Sequence, residues 1–93
     1  MIFVIDIGNT DIKLGIYQEN LLLYKWRIST DMQKNGIAYL KQFEAIFASE
    51  NINPVFFNQV IVSSVVPQLL PVIDYVIKKL TNIDCLIVDH NSF

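Results

Sequence analysis

Apolar and polar positions alternate with a period of two through most of the first third of the chain, and beyond Gly36 the apolar spacing changes to three and four. Ile2, Phe3, Val4 and Ile5 form a β-branched and aromatic run suited to a strand covered on both faces, with Asp6 near its end. A turn of small polar residues follows at Gly8, Asn9, Thr10 and Asp11. Ile12, Leu14 and Ile16 then alternate with Lys13, Gly15 and Tyr17, predicting a second strand with one aliphatic face and closing a β-hairpin. Glu19-Asn20 is a compact polar break, although it lacks the Gly that a tight hairpin turn favours. Leu21 to Ile28 is the third strand, with Tyr24, Trp26 and Ile28 on one face and Leu23, Lys25 and Arg27 on the other. So short a connection makes it antiparallel to its neighbour.

Ser29 to Gly36 is a polar loop in which Asn35 can act as N-cap. Ile37, Leu40, Phe43, Ile46 and Phe47 then fall along one side of a helix from about Gly36 to Ser49. Glu50 to Phe57, with Asn51, Asn53 and Pro54, is a loop, and Gln59 to Ser63 is a short buried strand. Pro67 suits the first turn of a second helix whose stripe is Leu69, Leu70, Ile73, Val76, Ile77 and Leu80. Pro71 either loosens that opening turn or marks where regular helix begins, and Lys78 and Lys79 complement the dipole at the far end. Cys85 to Val88 is the last strand. The element order is β-β-β-α-β-α-β, an α/β arrangement in which a meander and two right-handed crossovers give a mixed five-stranded sheet with helices on its faces.

Composition narrows the function classes. Ninety-three residues suffice for one domain with a core, and 53% hydrophobic with only 17% charged residues suggests either a well-buried sheet or a missing partner surface. A net charge of −2 with dispersed basic residues offers no attractive field for nucleic acid. The lone Cys85 cannot form an internal disulfide and, in an apolar run, is expected to be a buried strand thiol. No apolar run approaches the ~20 residues that span a bilayer, and Met1 leads straight into a strand, so a soluble cytoplasmic protein without membrane partners is expected.

The candidate chemistry is concentrated in the first turn. Phosphate oxygens need many donors and little side-chain bulk. Gly8 can take a positive φ and admit a ligand to the backbone, while Asn9 and Thr10 add side-chain donors to the main-chain N–H groups. Asp6 could hold a hydrated Mg²⁺, directly or through water, and Lys13 either adds positive charge to the site or lies on the strand face with its amine in solvent. Ser63 and Ser64 lack an evident base and are strand-end donors or helix N-caps rather than nucleophiles. His90, the only histidine, is a loop residue.

The segments Asp6-Ile7-Gly8-Asn9-Thr10, Trp26-Arg27-Ile28-Ser29-Thr30-Asp31 and Val62-Ser63-Ser64-Val65-Val66-Pro67, in that order, resemble the N-terminal half of type III pantothenate kinase and a related group described as transcriptional activators. The resemblance runs from Met1 to about Val88. It implies a ribonuclease-H-like fold, the N-terminal lobe of a two-lobed actin-like kinase. It also implies ATP-dependent phosphorylation of pantothenate in coenzyme A synthesis, with Mg²⁺ and a monovalent cation, by a complete enzyme that is a homodimer. Phosphate binding would fall to Gly8, Asn9, Thr10 and Lys13, and metal binding to Asp6.

The family's catalytic aspartate belongs to a Gly-x-Asp-Arg motif absent from this sequence. The chain is therefore expected to be the N-terminal lobe with the second lobe absent, contributing no catalytic residue and inactive alone. Two departures bear on the acceptor. Ile37-Ala38 stands before Tyr39 where many members carry an acidic pair, and Asp89-His90-Asn91-Ser92 replaces a Gly-Pro-Gly type turn. A nuclease would need further carboxylates converging on Asp6. A nonenzymatic regulator or an interaction half-domain are the alternatives to a kinase lobe.

Overall fold

The computed structural model describes residues 1–88, so His90 and the Asp89–Ser92 turn lie outside the described residues. Five strands, β1 (Ile2–Ile7), β2 (Asp11–Gln18), β3 (Leu21–Ser29), β4 (Gln59–Ser64) and β5 (Leu86–Val88), are joined with two helices, α1 (Gly36–Ser49) and α2 (Leu70–Thr81), in the expected order. The sheet runs β3-β2-β1-β4-β5, with β1 antiparallel to β2 and parallel to β4. This is the ribonuclease-H-like arrangement.

The helices cover one face of the sheet. Phe3, Ile5 and Ile7 of β1, Ile12, Leu14 and Ile16 of β2, and Val60 and Val62 of β4 are buried with Tyr39, Phe43 and Phe47 of α1 and Ile73, Val76 and Ile77 of α2. The Phe3 ring sits 6.1 Å from Phe43 and 5.2 Å from both Phe47 and Phe57, an aromatic knot pinning α1 to the central strand. β1 is consequently buried only at alternate positions, which corrects the expectation of a strand covered on both faces and of helices on both sides of the sheet. The apolar run Ile2–Ile5 puts Ile2 and Val4 on the second face, where they are only partly buried.

Several local expectations also shift. The buried ridge of α1 is Tyr39, Phe43 and Phe47, one residue per turn, whereas Ile37 is 56% exposed because, two residues before Tyr39, it lies about 200° around the helix from that ridge. Asn35 caps that helix as expected, its Oδ1 accepting from the Ala38 N–H at 2.9 Å. Pro67–Leu69 forms a separate 3₁₀ turn and the regular helix begins at Leu70, so Pro71 lies in its first turn. Another 3₁₀ turn, Pro54–Phe56, occupies the predicted loop. Without a glycine, the β2–β3 turn drives Glu19 to φ 57°, a left-handed conformation costing about 1–2 kcal/mol. The register shift beside Ile16 and Tyr17 leaves Leu23 bulged from β3.

Cys85 precedes β5 and is half-buried, so it is not the buried strand thiol expected. Its Sγ lies 3.2 Å from Asp74 Oδ1 on α2, and burial, then the bond to that carboxylate, pushes its pKa up to about 11. The thiol is thus held neutral across the ordinary range. Alkylation by iodoacetamide at pH 8 should run about a hundredfold slower than for an unfolded Cys peptide and climb with pH until about 11. Asp74→Asn removes an interaction that favours the protonated form, so the rate at pH 8 should rise; an unchanged rate would show that Asp74 has no hold on the thiol.

Candidate phosphate site at the first turn

Pairing of β1 on both sides determines what stands beside the turn. Asp6 is opposite Lys13 on β2 and Ser63 on β4, and Lys13 is opposite Arg27 on β3. Since Ile5 and Ile7 point into the core, Asp6 projects from the opposite, helix-free face, and its register neighbours share that face. Ser63 is fully buried and its Oγ donates to Asp6 Oδ1 at 2.9 Å, a charge-assisted bond that orients the carboxylate. Ser64 acts elsewhere, its Oγ accepting from the Val66 N–H at 2.8 Å and shaping the entry to α2. Ser63 is thus a strand-end donor, as the sequence indicated, whereas Ser64 accepts and is neither a donor nor a helix N-cap.

The turn itself is short and exposed at its tip. The Gly8 N–H donates to the Asp11 carbonyl at 2.9 Å, closing the four residues, and Asn9 and Thr10 are exposed. No glycine has a positive φ, so Gly8 is not there for left-handed freedom. Close approach explains it instead: a Cβ at position 8 would lie 3.0 Å from the Asp11 carbonyl oxygen.

Thr30, to which the sequence motifs assign no role, holds the turn from outside. Its Oγ1 donates to the Gly8 carbonyl at 2.7 Å and its N–H donates to the Thr10 carbonyl at 2.8 Å. The available signal was the hairpin register, because antiparallel pairing of Asp11 with Ser29 puts residue 30 beside residue 10. The following loop is fixed by Tyr39, whose hydroxyl donates to the Asp31 carbonyl at 2.9 Å and accepts from the Asp31 N–H at 2.8 Å. Burial, the larger effect, raises the pKa of that phenol despite the backbone N–H of Asp31, whose bond to the phenol oxygen favours the ionised form.

Two shallow depressions lie on the helix-free side. One, of about 180 Å³, is lined by Val4, Asp6, Lys13, Gly15, Tyr17 and Lys25 among others; a neighbour of about 390 Å³ is lined by Lys13, Leu14, Lys25, Trp26 and Arg27. Arg27 Nη1 is 3.3 Å from Asp11 Oδ2, linking β3 to the end of the turn. Lys13 is exposed. Asp6, Lys13 and the turn therefore meet at one end of the open face, and no group of three or more His, Cys, Asp or Glu side chains suited to a metal occurs among the described residues.

The type III pantothenate kinase family model matches residues 2–93. The chain belongs to the type III pantothenate kinase family. A type III pantothenate kinase from Finegoldia magna is 40% identical over 89 residues, covering 96% of this chain and 34% of that protein, so the chain spans about a third of its relative's length. Among solved structures, the ROK hexokinase of Thermus thermophilus is 15% identical with a TM-score of 0.67, covering 95% of this chain and 33% of that one. A Porphyromonas gingivalis protein described as an N-acetylglucosamine kinase gives the same identity and TM-score over 96% of this chain and 33% of its own. These two structures share the fold with this member of the pantothenate kinase family. No helix among the described residues is long and apolar enough to cross a membrane.

Thr30→Val removes the side-chain bond to Gly8 while keeping shape. It should lower stability by about 1 kcal/mol in urea unfolding. It should also broaden the amide resonances of residues 8–11; sharp, unshifted signals with unchanged stability would mean that the turn holds without Thr30.

Proposed function

We propose that this chain is the phosphate-binding N-terminal lobe of a kinase that phosphorylates pantothenate from ATP in coenzyme A synthesis. The observation that carries this reading is the bond from buried Ser63 to Asp6 beside an exposed, donor-rich turn, in a chain of this family. Phosphoryl transfer requires placement and charge stabilisation more than covalent chemistry from the protein. The Gly8 N–H is taken by the Asp11 carbonyl, so Gly8 would serve by close approach while the N–H groups of Asn9 and Thr10 and their two side-chain donors suit the oxygens of a phosphate, and Lys13 adds a cation next to Asp6.

A divalent metal fits this donor set. One oriented carboxylate at the rim of an open depression matches Mg²⁺, which prefers oxygen, keeps several waters and completes its shell with phosphates. Asp6 would hold it, and when bound it would neutralise charge on the phosphate oxygens. The monovalent cation, the homodimer, the pantothenate site and cytoplasmic location belong to the complete enzyme in this reading. They rest on family membership rather than on any described residue. The sequence contains no Gly-x-Asp-Arg motif, so the chain alone should bind nucleotide without turning it over.

Calorimetry with Mg²⁺ and ATP tests the reading. The wild-type chain should bind, and Asp6→Asn should abolish the dependence on Mg²⁺ and weaken binding by about tenfold or more. A coupled ATP and pantothenate assay of the same chain should show no turnover. Equal binding by the Asn variant would remove Asp6 from the site, and no binding by the wild type would favour a nonenzymatic regulator.

A further inference from the structure

We propose that Lys25 and Arg27 extend the first-turn site into a second anion subsite, which takes the part of a polyphosphate tail that the turn does not hold. The proposal rests on the phosphate-binding reading above and goes beyond it by adding residues of β3.

Charge placement is the first ground. The chain has only seven Lys and Arg residues and a net charge of −2, yet Lys13, Lys25 and Arg27 fall at neighbouring positions on one face of two adjacent strands. Lys13 and Arg27 are directly opposite, a like-charge pairing flanked by two carboxylates, Asp11 on Arg27 and Asp6 opposite Lys13, that a bound anion would offset further. Among the described residues the ion pairs are Arg27 with Asp11 and Lys78 with Asp84, and neither involves Lys13 or Lys25. The Arg27 side chain, although paired, is 64% exposed and open to a ligand.

Shape is the second ground. Both depressions on this face share Lys13 and Lys25, one continuing to Asp6 and the other to Arg27. Gly15 lies opposite Lys25 and supplies no side chain to fill the space between them. A Cβ there would sit 3.4 Å from Leu22 Cδ1 and 3.5 Å from Tyr17 Cε2, in ordinary contact with the apolar wall. Directly opposite and diagonal positions on neighbouring strands are about 5 and 7–8 Å apart. Lys25, opposite Gly15, lies several residues along the strands from the turn at roughly 3.3 Å per residue, so a single phosphate seated at the turn leaves it free whereas a linear polyphosphate extends towards it.

The test titrates the 93-residue chain with orthophosphate, tripolyphosphate and ATP, following backbone amides by NMR and affinity by calorimetry. Tripolyphosphate should bind more tightly than orthophosphate and shift the amides of both 8–11 and 25–27. Lys25→Gln with Arg27→Gln should reduce that preference about fivefold to tenfold while orthophosphate still shifts the turn. The charge-keeping pair Lys25→Arg with Arg27→Lys should restore it.

An unchanged preference in the neutral double variant overturns the subsite, as does an equal loss in the charge-keeping one, which would mean a structural role. Tripolyphosphate shifting 25–27 but not 8–11 would support the strip while refuting phosphate binding at the turn, and no shift in either region would refute both. If the two Gln substitutions weaken tripolyphosphate but not ATP, the strip stands and its occupant is free polyphosphate rather than a nucleotide.

Discussion

The pairing of β1 with β2 on one side and β4 on the other is the constraint on which the rest of the structure depends. Side chains alternate along a strand, so burying Phe3, Ile5 and Ile7 against the helices leaves Asp6 no position but the opposite face. The same two ladders bring Lys13 and Ser63 to its flanks. A slip of one residue would turn Asp6 into the core and Phe3, Ile5 and Ile7 out of it, so the energy of the apolar face enforces the geometry of the polar one. The candidate site needs no separate scaffold.

Around that axis the chain fixes its first turn by short bonds from elements distant in sequence. Thr30 ties the turn to the end of β3, Tyr39 ties the loop after Thr30 to α1, and α1 is held to β1 by the Phe3, Phe43, Phe47 and Phe57 rings. An exposed loop would ordinarily be the most mobile part of such a domain. Here the Gly8 and Thr10 carbonyls are engaged from outside by Thr30, leaving the tip directed to solvent, an arrangement that suits an oxyanion site.

Much of this was legible from residue order. Period-two alternation located all three strands of the meander, and Asn35 marked the start of α1. What escaped depended on tertiary partners. The run Ile2–Ile5 looks buried on both sides because nothing local tells an apolar residue which of two faces will receive helices. The packing of Ile37 was overestimated because the apolar stripe alone cannot show that Tyr39, rather than Ile37, leads the buried ridge, and Cys85 fell one residue short of the strand that its apolar neighbours suggested. At the site, the residue types Asp6, Gly8, Asn9 and Thr10 were conspicuous, but the reason for Gly8 is a carbonyl 3.0 Å from its missing Cβ, not a positive φ. The bond from Ser63 to Asp6 crosses 57 residues of chain and becomes visible only once β4 is known to lie beside β1.

A crystal structure of the chain grown with Mg²⁺ and a non-hydrolysable ATP analogue tests the central claim most directly. The account requires phosphate oxygens within hydrogen-bonding distance of the N–H groups of residues 9 and 10 and the metal on the Asp6 side of them. A nucleotide seated on the helical face, or an empty turn in crystals that hold the analogue elsewhere, would contradict it.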